Sequence, residues 1–137
     1  MIDRSFAERI VLGTAQLGSD YGIMNKGGKP IKENAYSILE TAWQNGVRSF
    51  DTAPGYQSER LIGDFIKTHG VSDEIIILTK VPSLQSENPE QEIFLSIENS
   101  IEKLGCQISV LFLHDPKDAP LLIDSEILLS HPVSSAK

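Results

Sequence analysis

The feature that most constrains the fold is an alternation of short apolar segments with helical patterns. The apolar segments cover residues 9–12, 47–50, 75–78 and 110–113. They are continuous rather than alternating, which is typical of strands covered on both faces in a parallel sheet. Each is followed by enough chain for a crossover connection. The pattern therefore predicts consecutive βαβ units and an α/β fold.

Three connecting segments carry apolar residues at three- and four-residue steps, as in helices that bury one face. These predicted helices cover residues 33–45, 59–69 and 89–104, and a weaker pattern predicts a fourth over 121–129. The first three are followed directly by Gly46, Gly70 and Gly105. Glycine is the usual left-handed residue just beyond a helix end. Ser58 precedes the second helix and is predicted to cap it.

Composition narrows the class of protein and of partner. The 137 residues carry a net charge of −7 without a basic run, which argues against nucleic acid and anionic membrane surfaces. No apolar run approaches the roughly 18 residues of a membrane span. The single cysteine, Cys106, excludes an internal disulfide and favours the reducing cytoplasm. No linker interrupts the pattern, so we expect one domain over residues 1–137.

Polar side chains follow three successive predicted strands at or near their ends. Asp51 follows the second strand, Lys80 the third and His114 the fourth, while Tyr56 lies in the loop after the second. Each residue alone has an ordinary interpretation as a turn residue, a solvated charge or a structural hydrogen-bonding group. The carboxyl ends of parallel strands, however, meet at one edge of the sheet. The combination therefore predicts a functional site there.

Other sites fit the sequence less well. The segment from Gly13 to Gly18 is followed by Ser19 and Asp20, where a phosphate-binding loop requires Lys and Ser or Thr. No dinucleotide-binding glycine motif follows the first strand, and no Cys/His cluster has zinc spacing, so no metal is predicted. Schiff-base chemistry at Lys80 is an alternative. The accompanying Asp, Tyr and His argue against it.

The motifs resemble those of the aldo-keto reductases. Residues 50–56, Phe-Asp-Thr-Ala-Pro-Gly-Tyr, followed by Ser-Glu at 58–59 and Leu-Ile-Gly at 61–63, are similar to the signature segment of that family. Three further segments resemble its opening strand, its third-strand Lys motif and its fourth-strand His motif, namely residues 11–14, 78–80 and 113–116. The similarity extends over residues 9–118. It implies a parallel (β/α) barrel of TIM type, of which this chain supplies the first four βα units, a half-barrel.

The resemblance also implies an activity. Members reduce an aldehyde or ketone to an alcohol, or catalyse the reverse, by hydride transfer with NAD(P)H. The implied catalytic residues are Asp51, Tyr56, Lys80 and His114. Tyr56 would act as general acid, with Lys80 favouring its phenolate form. Asp51 would hold Lys80, and His114 would orient the substrate carbonyl.

Cofactor binding is implied in the same way. Family analogy places Gly13, Thr14 and Asp51 near the nicotinamide. NADP(H) is the expected cofactor, with NAD(H) as the alternative. Most contacts to the remainder of the cofactor come, in the family, from the second half of the barrel. The activity of the 137-residue chain by itself is therefore left open.

A half-barrel raises a physical problem. Its first and fourth strands have unpaired edges, and its inner face lacks an opposing layer. We expect that face to be lined by Ile10, Phe50, Ile76 and Phe112 or their neighbours. The chain is then either a truncated form of a longer reductase or a unit whose open face is covered by another copy. The alternative function is a catalytically inactive half-barrel that acts only through self-association or a partner.

Overall fold

The computed structural model describes residues 4–22 and 26–120. The helix predicted over 121–129 lies outside the described residues. Four strands form one parallel sheet in the order β1-β2-β3-β4. They are β1 (Val11–Gly13), β2 (Ser49–Asp51), β3 (Ile76–Val81) and β4 (Val110–Leu113). The order in space follows the order in sequence, which confirms the parallel βαβ arrangement.

The strand boundaries differ from the predicted ones where cross-strand pairing decides them. β3 continues three residues past its apolar run, because Lys80 and Val81 pair with Phe112 and Leu113 of β4. β1 and β2 begin two residues later than predicted. Only β4 has its predicted bounds. Because β3 is longer than predicted, Lys80 lies within the sheet rather than in the loop after it.

Within the described ranges, five helices accompany the strands. They are α1 (Arg4–Ala7), α2 (Ala15–Gly18), α3 (Lys32–Gln44), α4 (Glu59–His69) and α5 (Pro89–Leu104). Single 3₁₀ turns cover Pro54–Tyr56 and Pro116–Asp118. α4 and α5 have the predicted bounds, and α3 is displaced by one residue. The predicted stop glycines have positive φ angles, 92° at Gly46, 64° at Gly70 and 67° at Gly105. α1 and α2, each of four residues, were not predicted.

The predicted cap at Ser58 is wrong in its chemistry. Ser58 occupies the position before α4, but its side chain accepts no hydrogen bond from the helix. Its hydroxyl instead lies 2.8 Å from Thr14 Oγ1 and 2.9 Å from Thr52 Oγ1. These neighbours come from other parts of the chain, so the local pattern could not indicate them.

The two faces of the sheet differ in burial. The helix-covered face carries the core, in which Leu39, Phe50, Ile62, Phe65, Ile77 and Leu104 are fully buried. The opposite, inner face exposes Val11, Ile76, Val110 and Phe112 to between 40% and 48%. Within the described residues, the strands are covered on one face only, so the predicted coverage of both faces is not found. The expected open inner face is found. The assignment of Phe50 to that face is wrong, because its register with Ile77 turns it toward the helices.

Among the described residues, no helix has both the length and the apolar character needed to cross a lipid bilayer.

Candidate active site

An ion pair joins the ends of two neighbouring strands. Asp51 is the last residue of β2, and Lys80 lies near the end of β3. Lys80 Nζ is 2.6 Å from Asp51 Oδ1 and donates a second hydrogen bond to the Thr52 carbonyl at 3.1 Å. The two charged side chains are 18% and 28% exposed. These charge-assisted hydrogen bonds, formed by partly buried groups, hold the Lys80 ammonium in one place.

The ring of Tyr56 lies beside this ammonium. The 3₁₀ turn Pro54–Tyr56 closes with a hydrogen bond from the Tyr56 amide to the Ala53 carbonyl at 3.0 Å. Lys80 Nζ lies 5.0 Å from the centroid of the Tyr56 ring, within the range of cation–π attraction. The turn and the ion pair thus bring a phenol and an ammonium together at the carboxyl edge of the sheet.

His114 completes the group. It follows β4 directly, and its amide donates to the Val81 carbonyl at 3.0 Å, which continues the ladder between β3 and β4. His114 lines a cavity of about 200 Å³ together with Tyr56 and Lys80. The structure therefore brings the predicted residues Asp51, Tyr56, Lys80 and His114 to one edge of the sheet, where the last three line this cavity and Asp51 contacts Lys80.

The three residues predicted near a cofactor differ in whether they face the open side of the sheet. Gly13 pairs with Asp51, and a β-carbon at Gly13 would meet no atom within 4 Å. Open space therefore faces the backbone beside the Asp51 carboxylate. Thr14 is fully buried, and its hydroxyl donates to the Asp51 carbonyl at 2.8 Å. Its side chain is thus engaged inside the protein, whereas Gly13 and Asp51 border the open face.

Two aromatic residues near the site were not predicted to belong to it. The Phe112 ring centroid is 5.9 Å from Lys80 Nζ, and the Tyr21 ring centroid is 6.0 Å from that of Tyr56. Phe112 precedes His114 by two residues and pairs with Lys80, so the period of the strand is a signal that places it on the inner face. Tyr21 lies in an irregular loop, where no periodic signal exists.

Metal chemistry has no candidate among the described residues, since no group of three or more His, Cys, Asp or Glu side chains could hold an ion.

This fold, with an Asp, a Tyr, a Lys and a His at the carboxyl edge of its strands, places the chain in a known class of barrel enzymes. The aldo/keto reductase family model matches residues 9–121, and the chain belongs to that family. The resemblance seen in the motifs is thereby confirmed.

Similar proteins of known activity include two dehydrogenases. D-threo-aldose 1-dehydrogenase of a Pseudomonas species is 33% identical over 130 residues, covering 71% of this chain and 39% of that protein. Glycerol 2-dehydrogenase (NADP(+)) of Saccharomyces cerevisiae is 37% identical over 105 residues, covering 74% of this chain and 32% of that protein. The chain therefore spans between about a third and two fifths of the length of these relatives.

Solved structures confirm the architecture. An aldo-keto reductase of the silkworm Bombyx mori matches with a TM-score of 0.60 and 26% identity, covering 77% of this chain and 32% of that chain. A second silkworm aldo-keto reductase, solved in complex with NADP, matches with a TM-score of 0.61 and 22% identity, covering 78% and 34%. The four parallel strands and their helices correspond to part of a TIM barrel, in agreement with the predicted half-barrel.

Proposed function

We propose that this chain supplies the proton-transfer residues of an NAD(P)H-dependent oxidoreductase that interconverts aldehydes or ketones and alcohols. The observation that carries the proposal is the position of Lys80 Nζ, 2.6 Å from Asp51 Oδ1 and 5.0 Å from the Tyr56 ring centroid. The family and its curated relatives support the reaction class. The particular substrate, a small carbonyl compound or alcohol, belongs to the proposal as a class only.

Tyr56 is the proposed general acid. A phenol can hydrogen-bond a carbonyl oxygen and give up its proton as negative charge develops there. The ammonium of Lys80 favours the phenolate left behind, because opposite charges attract strongly in a partly desolvated site. Asp51 keeps Lys80 at this place, so that the positive charge remains beside the ring rather than in solvent.

His114 is proposed to orient the substrate. His114 lines the same cavity of about 200 Å³ as Tyr56 and Lys80. A hydrogen bond from the imidazole would fix the carbonyl oxygen near the phenol, and such orientation contributes strongly to catalytic rates. The position of His114 directly after β4 supports this role.

The residues present fit the nicotinamide end of the cofactor. Gly13 leaves open space over its backbone, and the partly exposed carboxylate of Asp51 borders that space. A flat ring can approach such a surface closely. When bound, the coenzyme would supply or accept the hydride. We propose NADP(H), with NAD(H) as the alternative. We propose the cytoplasm as the compartment, since the single cysteine of this sequence forms no internal disulfide.

The test is coenzyme binding followed by turnover, in wild type and two matched tyrosine variants. NADPH fluorescence should show saturable binding, and Tyr56→Phe should bind equally while losing at least ~100-fold in kcat with an aromatic aldehyde. Tyr21→Phe removes a hydroxyl from the neighbouring ring and should change kcat by less than about threefold. Equal turnover by Tyr56→Phe and wild type would show that the proposed acid is wrong.

The open inner face supports a second candidate function, a catalytically inactive half-barrel that associates with another copy. Val11, Ile76, Val110 and Phe112 are each at least 40% exposed on this face, and exposed apolar side chains gathered on one face favour association. Sedimentation velocity should then show a dimer that Val110→Glu converts to a monomer. A folded wild-type monomer at all concentrations would exclude this candidate, whereas a dimer without NADPH binding would favour it.

A further inference from the structure

Three buried hydroxyl groups lie in a row behind the carboxyl ends of β1 and β2. Ser58 Oγ is 2.8 Å from Thr14 Oγ1 and 2.9 Å from Thr52 Oγ1. Thr14, Thr52 and Ser58 are each fully buried. Hydroxyl groups without access to water must find their partners within the protein. These three hydroxyl groups are hydrogen-bonded in series, and we call them the hydroxyl chain.

The protons of the hydroxyl chain have one direction that satisfies every contact. Thr14 Oγ1 lies 2.8 Å from the Asp51 carbonyl oxygen, which can only accept, so the Thr14 proton points there. Thr14 must then accept from Ser58, and Ser58 must accept from Thr52, because each hydroxyl has a single proton. The series runs from Thr52 through Ser58 and Thr14 to Asp51. Hydrogen bonds aligned in this way polarise and strengthen one another.

Both ends of the hydroxyl chain touch residues that hold the Lys80 ammonium. At one end is Asp51, whose carbonyl accepts from the chain while its carboxylate accepts from Lys80. At the other end is Thr52, whose carbonyl accepts the second hydrogen bond of Lys80. Ser58, at the centre, comes two residues after Tyr56. The hydroxyl of one residue therefore joins the segment after β1, the end of β2 and the turn that carries Tyr56.

We propose that Ser58 is a positioning residue for Tyr56 and for the Asp51–Lys80 pair. This inference rests on the function proposed above. Its role is distinct from helix capping, since the Ser58 side chain makes no hydrogen bond to α4. Removing the hydroxyl leaves the Thr52 proton and a Thr14 lone pair without partners in a fully buried place. The hydrogen bonds that fix the distance between the ends of β1 and β2 and the Tyr56 turn are then lost.

Amide hydrogen exchange by NMR tests the inference without requiring turnover. In Ser58→Ala, the amides of Thr14 and Tyr56 should exchange at least ~10-fold faster than in wild type, because local opening becomes easier. The amide of Gly105, which donates to Ile101 at the end of α5, should keep its rate. Unchanged exchange at both Thr14 and Tyr56 would overturn the inference.

Two variants separate this effect from the general loss of a buried polar group. Ser100→Ala removes a hydroxyl that is also buried, 2% exposed, on α5. It should leave the Thr14 and Tyr56 amides at their wild-type rates. If Ser58→Ala does not fold, Thr52→Val removes only the first donor of the hydroxyl chain and is measured in the same way. Thr52→Ser keeps that donor and should restore slow exchange.

Kinetics then distinguish this inference from the proposed function. If both hold, Ser58→Ala should lower kcat about tenfold while the Kd for NADPH stays within twofold, since the general acid is displaced and the open face is not. Accelerated exchange with no effect of Tyr56→Phe on turnover would refute the proposed acid and leave the structural tie intact. Loss of turnover in Tyr56→Phe, with wild-type exchange and kcat in Ser58→Ala, would refute the positioning role alone.

Discussion

A β-carbon at position 18 would lie 1.9 Å from the carbonyl oxygen of Tyr56. It would also lie 2.5 Å from the backbone nitrogen of Ser58. Both separations are far below van der Waals contact, so only glycine allows α2 to pack against the turn that carries Tyr56. The close approach of Gly18 therefore holds the proposed general acid through backbone contact, independently of the hydroxyl of Ser58.

Gly18→Ala should destabilise the protein by about 1–3 kcal/mol. Insertion of a methyl group into occupied space costs about this much. Alanine also favours a helical position over glycine by about 1 kcal/mol, but the clash with two backbone atoms outweighs that gain. Urea unfolding measures the change. Gly55→Ala is the matched control, because its β-carbon would meet nothing within 4 Å. The control should be neutral or stabilising by about 0.5 kcal/mol.

The Asp51–Lys80 pair should be strongly coupled. In a double-mutant cycle with Asp51→Asn and Lys80→Met, we expect a coupling energy of about 1–3 kcal/mol, because both charges are partly removed from water. Added salt should change this energy little, since buried pairs are poorly screened. Urea unfolding of the four proteins at low and high salt measures both quantities.

The Lys32–Asp64 pair provides the comparison for that cycle. Its atoms are 2.9 Å apart, but its side chains are 68% and 48% exposed. Exposed pairs contribute little to stability and weaken with salt, so this cycle should give a smaller coupling energy than that of Asp51 and Lys80. Similar coupling energies and salt responses in the two cycles would show that the strand-end pair has no special environment.

Glu59 should make a substantial contribution to stability although it lies outside the proposed chemistry. It is 1% exposed at the start of α4, where a negative charge is favoured. Its Oε1 accepts from the Thr79 hydroxyl at 3.1 Å, and its Oε2 lies 3.7 Å from Lys103 Nζ. Glu59→Ala leaves Thr79 without this acceptor and removes the charge near Lys103, and should cost about 2–4 kcal/mol in urea unfolding.

Glu59→Gln is the informative partner variant. The amide oxygen can still accept from Thr79, whereas the charge that faces Lys103 is lost. We expect it to cost about half as much as Glu59→Ala. Equal costs for the two variants would mean that the charge, rather than the hydrogen bond to β3, carries the effect.

Cys106 should make stability fall at alkaline pH. Burial raises the pKa of its thiol from 9.0 to about 11. The thiol has a higher pKa in the folded protein than in the unfolded chain. The contribution of the protonated thiol to the free energy of unfolding is therefore fully present below pH 9 and is lost as the pH rises through 11. The loss should be about 1–2 kcal/mol, allowing for solvent near the thiol. Urea unfolding of wild type and Cys106→Ala between pH 8 and 11 isolates the loss due to Cys106, because all other titrating groups are present in both proteins. Parallel stability profiles would contradict the prediction.

Local pattern was sufficient to predict much of the fold and of the site. α4 and α5 have their predicted bounds, because an apolar stripe at helical spacing ends at a glycine that adopts positive φ. Asp51, Lys80 and His114 were predicted to converge because parallel strands share one carboxyl edge. The geometry agrees, with the first two in contact and the third lining the same cavity as Lys80. Their chemical roles stay predictions until variants are measured.

Contacts between distant segments could not be predicted in this way. Phe50 was assigned to the wrong face because β2 has only three residues, and a shift of one residue reverses the face of each side chain. Tyr21 approaches Tyr56 from a loop without regular structure. Thr14 and Ser58 are 44 positions apart, and their hydrogen bond exists only because α2 packs on the Tyr56 turn.

The sequence by itself determined the order of the four strands and the three long helices, the ends of α4 and α5, and the edge at which polar residues gather. These depend on periodicity and on residues that end helices, which act over a few positions. Only the tertiary structure decided the length of β3, the partners of the Ser58 hydroxyl and the burial of Glu59. Those features depend on which atoms from remote segments fill the same space, and close packing rather than local preference determines that outcome.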